Sequence, residues 1–240
     1  MVKSDLAKIV VEANPKNYSK GRNGKKVCKI TPHHMAGVLT AERCGELFQD
    51  AKRQASANYG IGNDGTIACY VGEENRAYTS ASKSNDCQAI TIEVSNCERG
   101  GQWKVSDAAW NSLVKLCVDI CKRYKFKLKY DGTPNGSLTR HNMFVATSCP
   151  GPYLQSRFKE LVKVVNAELD KKESSSYLVK INTACLNIRE KAGTNYAIVG
   201  QIKDRGTYTI VAESNGKGAK KWGKLKSGAG WIALDYTIRR

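Results

Sequence analysis

No stretch of this 240-residue chain approaches the roughly 18 consecutive apolar residues that a membrane-spanning helix needs, so membrane insertion is not expected. The opening segment, MVKSDLAKIVVEANPK, has no sustained apolar core, and no secretory leader is expected there. Histidine is scarce. The three residues, at 33, 34 and 141, leave histidine-dependent chemistry few places to sit. No internal repeat or low-complexity tract is visible. No helix-turn-helix, zinc-finger pair or aromatic nucleic-acid motif is present either, which argues against a nucleic-acid partner. The nine cysteines show no spacing of a small disulfide scaffold. They are read mostly as reduced, buried thiols made in a reducing compartment.

What is present is the composition of a soluble globular protein, 41% hydrophobic and 25% charged, with a length that suggests two domains. The formal net charge is +17 and is spread along the chain: residues 177–240 alone hold 12 Lys and Arg against 4 Asp and Glu. An even basic bias implies a polyanionic partner, whether nucleic acid, an anionic membrane or a wall carrying anionic polymers.

Val27 to Thr31 reads as a short strand ending at Pro32 and the histidine pair. Thr40 is read as the N-cap of a helix from Ala41 to about Lys52, with Leu47, Phe48 and Ala51 inward. Tyr59 to Val71 reads as a hairpin turning at Asn63-Asp64-Gly65. Ala89 to Val94 alternates most clearly: Ile90, Ile92 and Val94 share one face, Thr91 and Glu93 the other. Ser106 caps a helix with Trp110, Leu113, Val114, Cys117, Ile120 and Cys121 at helical spacing. A strand is expected at Lys125 to Lys129, a loop at Asp131 to Gly136, and a helix from about Tyr153 to Leu169. Strands alternating with helices give an α/β or α+β domain ending near 170, and the fold class is taken as α/β, a mixed central sheet flanked by helices over residues 1–170. A polar linker, 171–176, leads to residues 177–240. There, short β-like runs separated by Gly, Asn and Lys predict a small all-β barrel.

His33 directly follows a predicted strand, and His141 and Cys149 lie eight residues apart in RHNMFVATSCPG. Imidazole and thiolate are preferred zinc donors, and a catalytic zinc takes three protein ligands. From the residues alone two readings stand. The three are ligands of one zinc ion, or they are a surface histidine, a loop histidine and a buried thiol.

The segments ITPHHMAG (Ile30 to Gly37), NYGIGNDGTI (Asn58 to Ile67), ITIEV (Ile90 to Val94) and RHNMFVATSCPGPYL (Arg140 to Leu154) occur in an order that resembles the type 2 N-acetylmuramoyl-L-alanine amidases. The resemblance covers roughly residues 25–170 and is nearest to amidase domains of clostridial phage endolysins and autolysins. It implies His33, His141 and Cys149 as zinc ligands, with His34 a neighbour. It also implies hydrolysis of the amide between N-acetylmuramic acid and L-alanine of peptidoglycan, by an enzyme that carries Zn2+. Glu93 matches the acidic residue that serves proton transfer in many bacterial members. Ala57 and Thr147 stand where other members carry a Tyr and a Lys, which puts more weight on Glu93. Thr147 is either an oxyanion donor or a loop cap. Asn58 falls where relatives place a polar residue near the metal, or it forms a turn. Trp103 either stacks on a sugar or packs under a loop.

Residues 177–240 resemble bacterial SH3-like cell-wall-targeting domains through CLNIREKAGTNYAIVGQI (Cys185 to Ile202), the run around Trp222, and Gly230-Trp231-Ile232 with Asp235-Tyr236. Leu186, Ile188, Val199, Ile210, Leu225 and Ile232 are assigned to the core. Trp222, Trp231 and Tyr236 belong either to the core or to a wall-binding groove. The expected protein is a phage endolysin, made in the bacterial host cytoplasm and acting on the wall after release. A bacterial autolysin and a non-catalytic peptidoglycan-binding protein are the alternatives. Oligomeric state is not inferable.

Overall fold

A computed structural model describes residues 1–171 and 176–240, and the chain divides into two units, Met1–Asp170 and Lys171–Arg240. Four residues of the expected linker, 172–175, lie outside the described residues. In chain order the first unit contains β1 (Ile9–Val10), β2 (Tyr18–Ser19), β3 (Lys29–His34), α1 (Ala41–Leu47), β4 (Tyr59–Ile61), β5 (Ile67–Cys69), β6 (Arg76–Ala77), α2 (Lys83–Asp86), β7 (Ala89–Val94), α3 (Asp107–Tyr124), α4 (Pro152–Ser156) and α5 (Phe158–Asp170). Five strands form a mixed sheet in the order β1-β5-β4-β7-β3, in which only β4 and β5 pair antiparallel.

Alternation along β3 and β7 sorts the two sheet faces. Ile30, Ile90, Ile92 and Val94 join a core with Leu113, Leu116, Ile120, Leu154, Phe158 and Leu161 from the helices. Each fully buried Leu or Ile contributes about 1.5–3 kcal/mol. Thr31, His33, Thr91 and Glu93 face the other way, and the register sets His33 directly beside Glu93. Helix α3 starts where the Ser106 hydroxyl accepts the Ala109 N–H, and it ends at Lys125 in a left-handed conformation.

Four local expectations are corrected. β3 does not stop at Pro32 but continues through it to His34. It is an edge strand, and the Ile30 N–H, two residues earlier, points outward to Ser137 O. The donor that Pro32 lacks would face that same outer side, away from β7, where no strand partner needs it and proline is tolerated. α1 ends at Leu47, because the Asn17 side chain takes the carbonyls of Phe48 and Asp50 at 2.7 and 2.8 Å. Lys125 to Lys129 joins no strand; the Asn166 side chain pairs with both the N–H and the C=O of Leu128. The last helix breaks into α4 and α5 at Arg157, whose guanidinium stacks 3.6 Å from the Trp110 ring and pairs with Glu160.

The second unit holds β8 (Tyr177–Ile181), β9 (Leu186–Arg189), β10 (Ile198–Ile202), β11 (Thr207–Gly216), β12 (Ala219–Leu225), β13 (Trp231–Ala233) and β14 (Thr237–Arg239). All pairs are antiparallel, in the order β10-β9-β13-β12-β11-β8-β14. Leu186, Ile210, Leu225 and Ile232 are buried with Val179, Ile181 and Trp222, and Ile188 packs against them. Val199 is not core but 55% exposed. A register shift between Ile198 and Gly200 on this edge strand turns it outward.

All nine cysteines are free, six of them buried. Among the described residues no helix is long and apolar enough to cross a membrane.

Candidate metal centre and cleft

His33 reaches the site from the end of β3, and His141 from a short 3-10 turn, His141–Met143. Cys149 follows in a loop whose Thr147 hydroxyl accepts the Cys149 N–H at 3.3 Å. The structure brings these three side chains together, with one ligand atom of each within 4.8 Å of the others. Cys149 Sγ is 3.3 Å from His33 Nδ1, and the two imidazole centroids are 4.9 Å apart. Gly151 closes the turn with φ of 83°, and a Cβ there would come within 3.0 Å of His34 Nδ1. That combination of backbone angle and close approach suits glycine.

The electrostatics suit a cation. Burial, then the neighbouring His141 and His34, holds His33 well below the usual imidazole range. Burial lowers His141 as well, against a small opposing pull from Asp86. Both rings are therefore neutral, the form that coordinates metal. Burial pushes the Cys149 thiol up, with Glu93 adding to the effect and the His34 backbone N–H opposing it. The thiol is thus protonated until a cation displaces its proton. His33 Nε2 is buried without a hydrogen-bond partner. Two neutral imidazoles and a thiol, converging and poorly satisfied by protein alone, fit a divalent ion with nitrogen and sulfur ligands.

These residues line a cleft of about 320 Å3. Leu39, Leu47, Phe48 and Met35 are among its apolar lining residues, and Ser56, Tyr78 and Thr79 among its polar ones. Glu93 lies in the cleft, partly accessible from it yet otherwise enclosed by protein. Burial raises its carboxyl to about 8, with Arg53 pulling slightly the other way. Thr147 also lines the cleft. A larger cleft, about 690 Å3, lies on the outer surface of α3 and α5 and contains none of these groups.

Other sequence candidates lie elsewhere. Asn58 is fully buried and does not line the cleft. Its amide donates to Val71 O at 3.1 Å and its carbonyl accepts from Thr91 N at 3.1 Å, so it joins strands rather than facing a ligand. Trp103 stands edge-on to His34 at 5.4 Å and is not part of the cleft wall. In the second unit, Trp222 is 2% exposed and shares a cleft of about 350 Å3 with Tyr236, Asn187 and Arg189. Trp231 is half-buried against the core and lies outside that cleft. Sequence reasoning missed Arg53, Tyr78 and Thr79. They sit in irregular segments with no periodicity or motif, and only the fold carries them to the cleft of His33, His141 and Cys149.

The sequence profile of the N-acetylmuramoyl-L-alanine amidase family matches residues 23–152, more than half of the chain. The chain belongs to this family. The matched span contains His33, Glu93, His141, Thr147 and Cys149. Solved structures of similar fold include a mutant PlyL at 15% identity and a TM-score of 0.54, covering 66% of this chain and 98% of that one. The PlyG catalytic domain, at 17% identity and a TM-score of 0.54, covers 68% and 96%. A mutant endolysin from Bacillus subtilis, at 14% and 0.52, covers 69% and 99%. At these identities the likeness is one of fold. No curated protein sequence matches the chain.

Proposed function

We propose that this chain is a zinc-dependent peptidoglycan amidase of the endolysin type. It would cut the amide between the lactyl group of N-acetylmuramic acid and L-alanine of the stem peptide. The observation that carries this reading is the convergence of His33, His141 and Cys149 beside Glu93 in one cleft. A metal-binding family member without catalysis would have no need of an enclosed carboxylate in that position. Zinc bound by the three side chains would supply Lewis-acid polarisation of the amide and acidify a water.

Glu93 is placed to do the proton work. Its carboxylate would accept the proton of the attacking water and return it to the departing amine nitrogen of L-alanine. Burial that lifts its pKa well above the ordinary carboxylate range in the metal-free protein suits a group that must both take and give a proton. The Thr147 hydroxyl accepts the Cys149 N–H, which supports the loop, and its own proton is left to donate to the oxyanion. Arg53 at the cleft adds a positive charge near Glu93. The apolar lining contributed by Leu39, Leu47 and Phe48 would help exclude water from the cleft.

We assign residues 177–240 to wall targeting as an SH3-like domain, with Trp222 and Tyr236 lining its cleft. Tethering raises the local concentration of catalyst on an insoluble polymer, and the net charge of +17 favours an anionic wall. In the endolysin reading the enzyme forms in the host cytoplasm and meets the wall after release. A bacterial autolysin would perform the same reaction. Digestion of purified wall tests the activity. Free N-terminal L-alanine should appear with no new reducing sugar; reducing ends in its place would identify a glycosidase.

A further inference from the structure

Beneath the two histidine ligands lies a closed ring of three buried side chains. Thr31, Thr139 and Asn85 are 0%, 0% and 3% exposed. Asn85 Nδ2 donates to Thr31 Oγ1 at 3.0 Å, and the two threonine hydroxyls are 2.8 Å apart. Thr139 Oγ1 donates to Asn85 Oδ1 at 3.0 Å. The Thr139 proton is committed to Asn85, so Thr31 is the donor between the two hydroxyls, and the ring runs in one direction. Such a cycle satisfies every member and strengthens each bond through its neighbours.

The position of the ring gives it a consequence for the site. Thr31 precedes His33 by two residues on the same face of β3. Thr139 precedes His141 by two residues on the segment that pairs with β3 through Ile30 N to Ser137 O and Thr139 N to Ile30 O, at 2.8 and 3.0 Å. Asn85 therefore ties together the two backbones that carry the ligands, one step before each ligand. It also reaches Ser80 Oγ at 3.3 Å, and Ser80 in turn donates to Asp86. Asp86 accepts the N–H groups of Thr79 and Ser80, so the same network holds the loop that brings Thr79 to the cleft.

We propose that Asn85 is a positioning residue of the metal centre, locking Thr31 and Thr139 in one register so that His33 and His141 converge before any ion arrives. Asn85 touches neither substrate nor ion. It lowers the ordering that metal binding would otherwise have to supply. This inference rests on the metal-site reading above.

The test is zinc affinity of the full chain, stripped by chelator and titrated against a competing indicator. Asn85→Leu and Thr139→Val should each weaken zinc by about 10–100-fold, the range for residues that orient ligands from outside the coordination shell. Thr139→Ser keeps the hydroxyl and should bind like the parent. Leu161→Ala, a remote core truncation, should lower Tm yet leave affinity unchanged. If Asn85→Leu fails to fold, the Thr139→Val and Thr139→Ser pair decides. Parental zinc affinity in Thr139→Val, or equal weakening in Leu161→Ala, would overturn the proposal. A parent protein that binds no zinc would instead overturn the metal-site reading itself.

Discussion

Cys149 Sγ and His33 Nδ1 lie 3.3 Å apart although they are 116 positions apart in the chain. An uncharged sulfur and a neutral ring nitrogen hold each other weakly, so the contact has more to gain from a shared cation than from its own hydrogen bond. Cys149→Ser should therefore fold and still lose metal, because a hydroxyl is a far poorer donor than a thiolate. We expect affinity to fall by more than about 100-fold, beyond the loss typical of outer-shell changes. Metal content after dialysis, with circular dichroism as the control for folding, checks this.

Glu93→Gln keeps the size of the side chain and removes its proton exchange. Wall hydrolysis should drop by about 10²–10⁴-fold, the usual contribution of a general acid-base group, with metal content unchanged. Near-parental turnover would remove Glu93 from the mechanism.

The same residue predicts a pH effect on stability. In the metal-free protein burial raises Glu93 to about 8 from an ordinary 4.5. The folded state then holds the proton more tightly than the unfolded state, so this group costs stability as pH rises from about 4.5 through 8. Below that window both states are protonated and the cost vanishes. Chelator-treated Glu93→Gln should melt above the chelator-treated parent at pH 8.5, and the difference should close at pH 4.5. A gap that stayed constant with pH would show that the carboxyl is not the cause. A bound cation favours the carboxylate, so the acid limb of kcat/KM should lie below about 8.

The division into two units, each with its own core, predicts separable tasks. A chain ending at residue 170 should cleave soluble muropeptides at near-parental rates and lyse whole cells poorly. Salt should weaken lysis by the full chain more than muropeptide cleavage, since screening shortens electrostatic reach to about 8 Å at physiological ionic strength. Equal salt sensitivity on both substrates would remove charge from the account of targeting.

Much of this protein was legible in the residues themselves. The alternation Ile90, Ile92, Val94 against Thr91, Glu93 is a local property of a pleated strand, and so announced which side chains would meet the helices. Ser106 and the apolar spacing after it defined α3 for the same reason: caps and periodicities act over a few residues. The donor chemistry of His33, His141 and Cys149 is likewise intrinsic to those residue types. What required the tertiary structure was everything set by distant partners. Asn17 ended α1 early, a place at the edge of the sheet let β3 pass through Pro32, and a shifted register turned Val199 to solvent. The saturation of Asn58 and the ring closed by Asn85 depend on groups dozens of residues away. The sequence names the candidate donors, but only a folded sheet, with a return segment laid along its edge, makes them neighbours, because hydrogen bonds and packing at long range have no local signature.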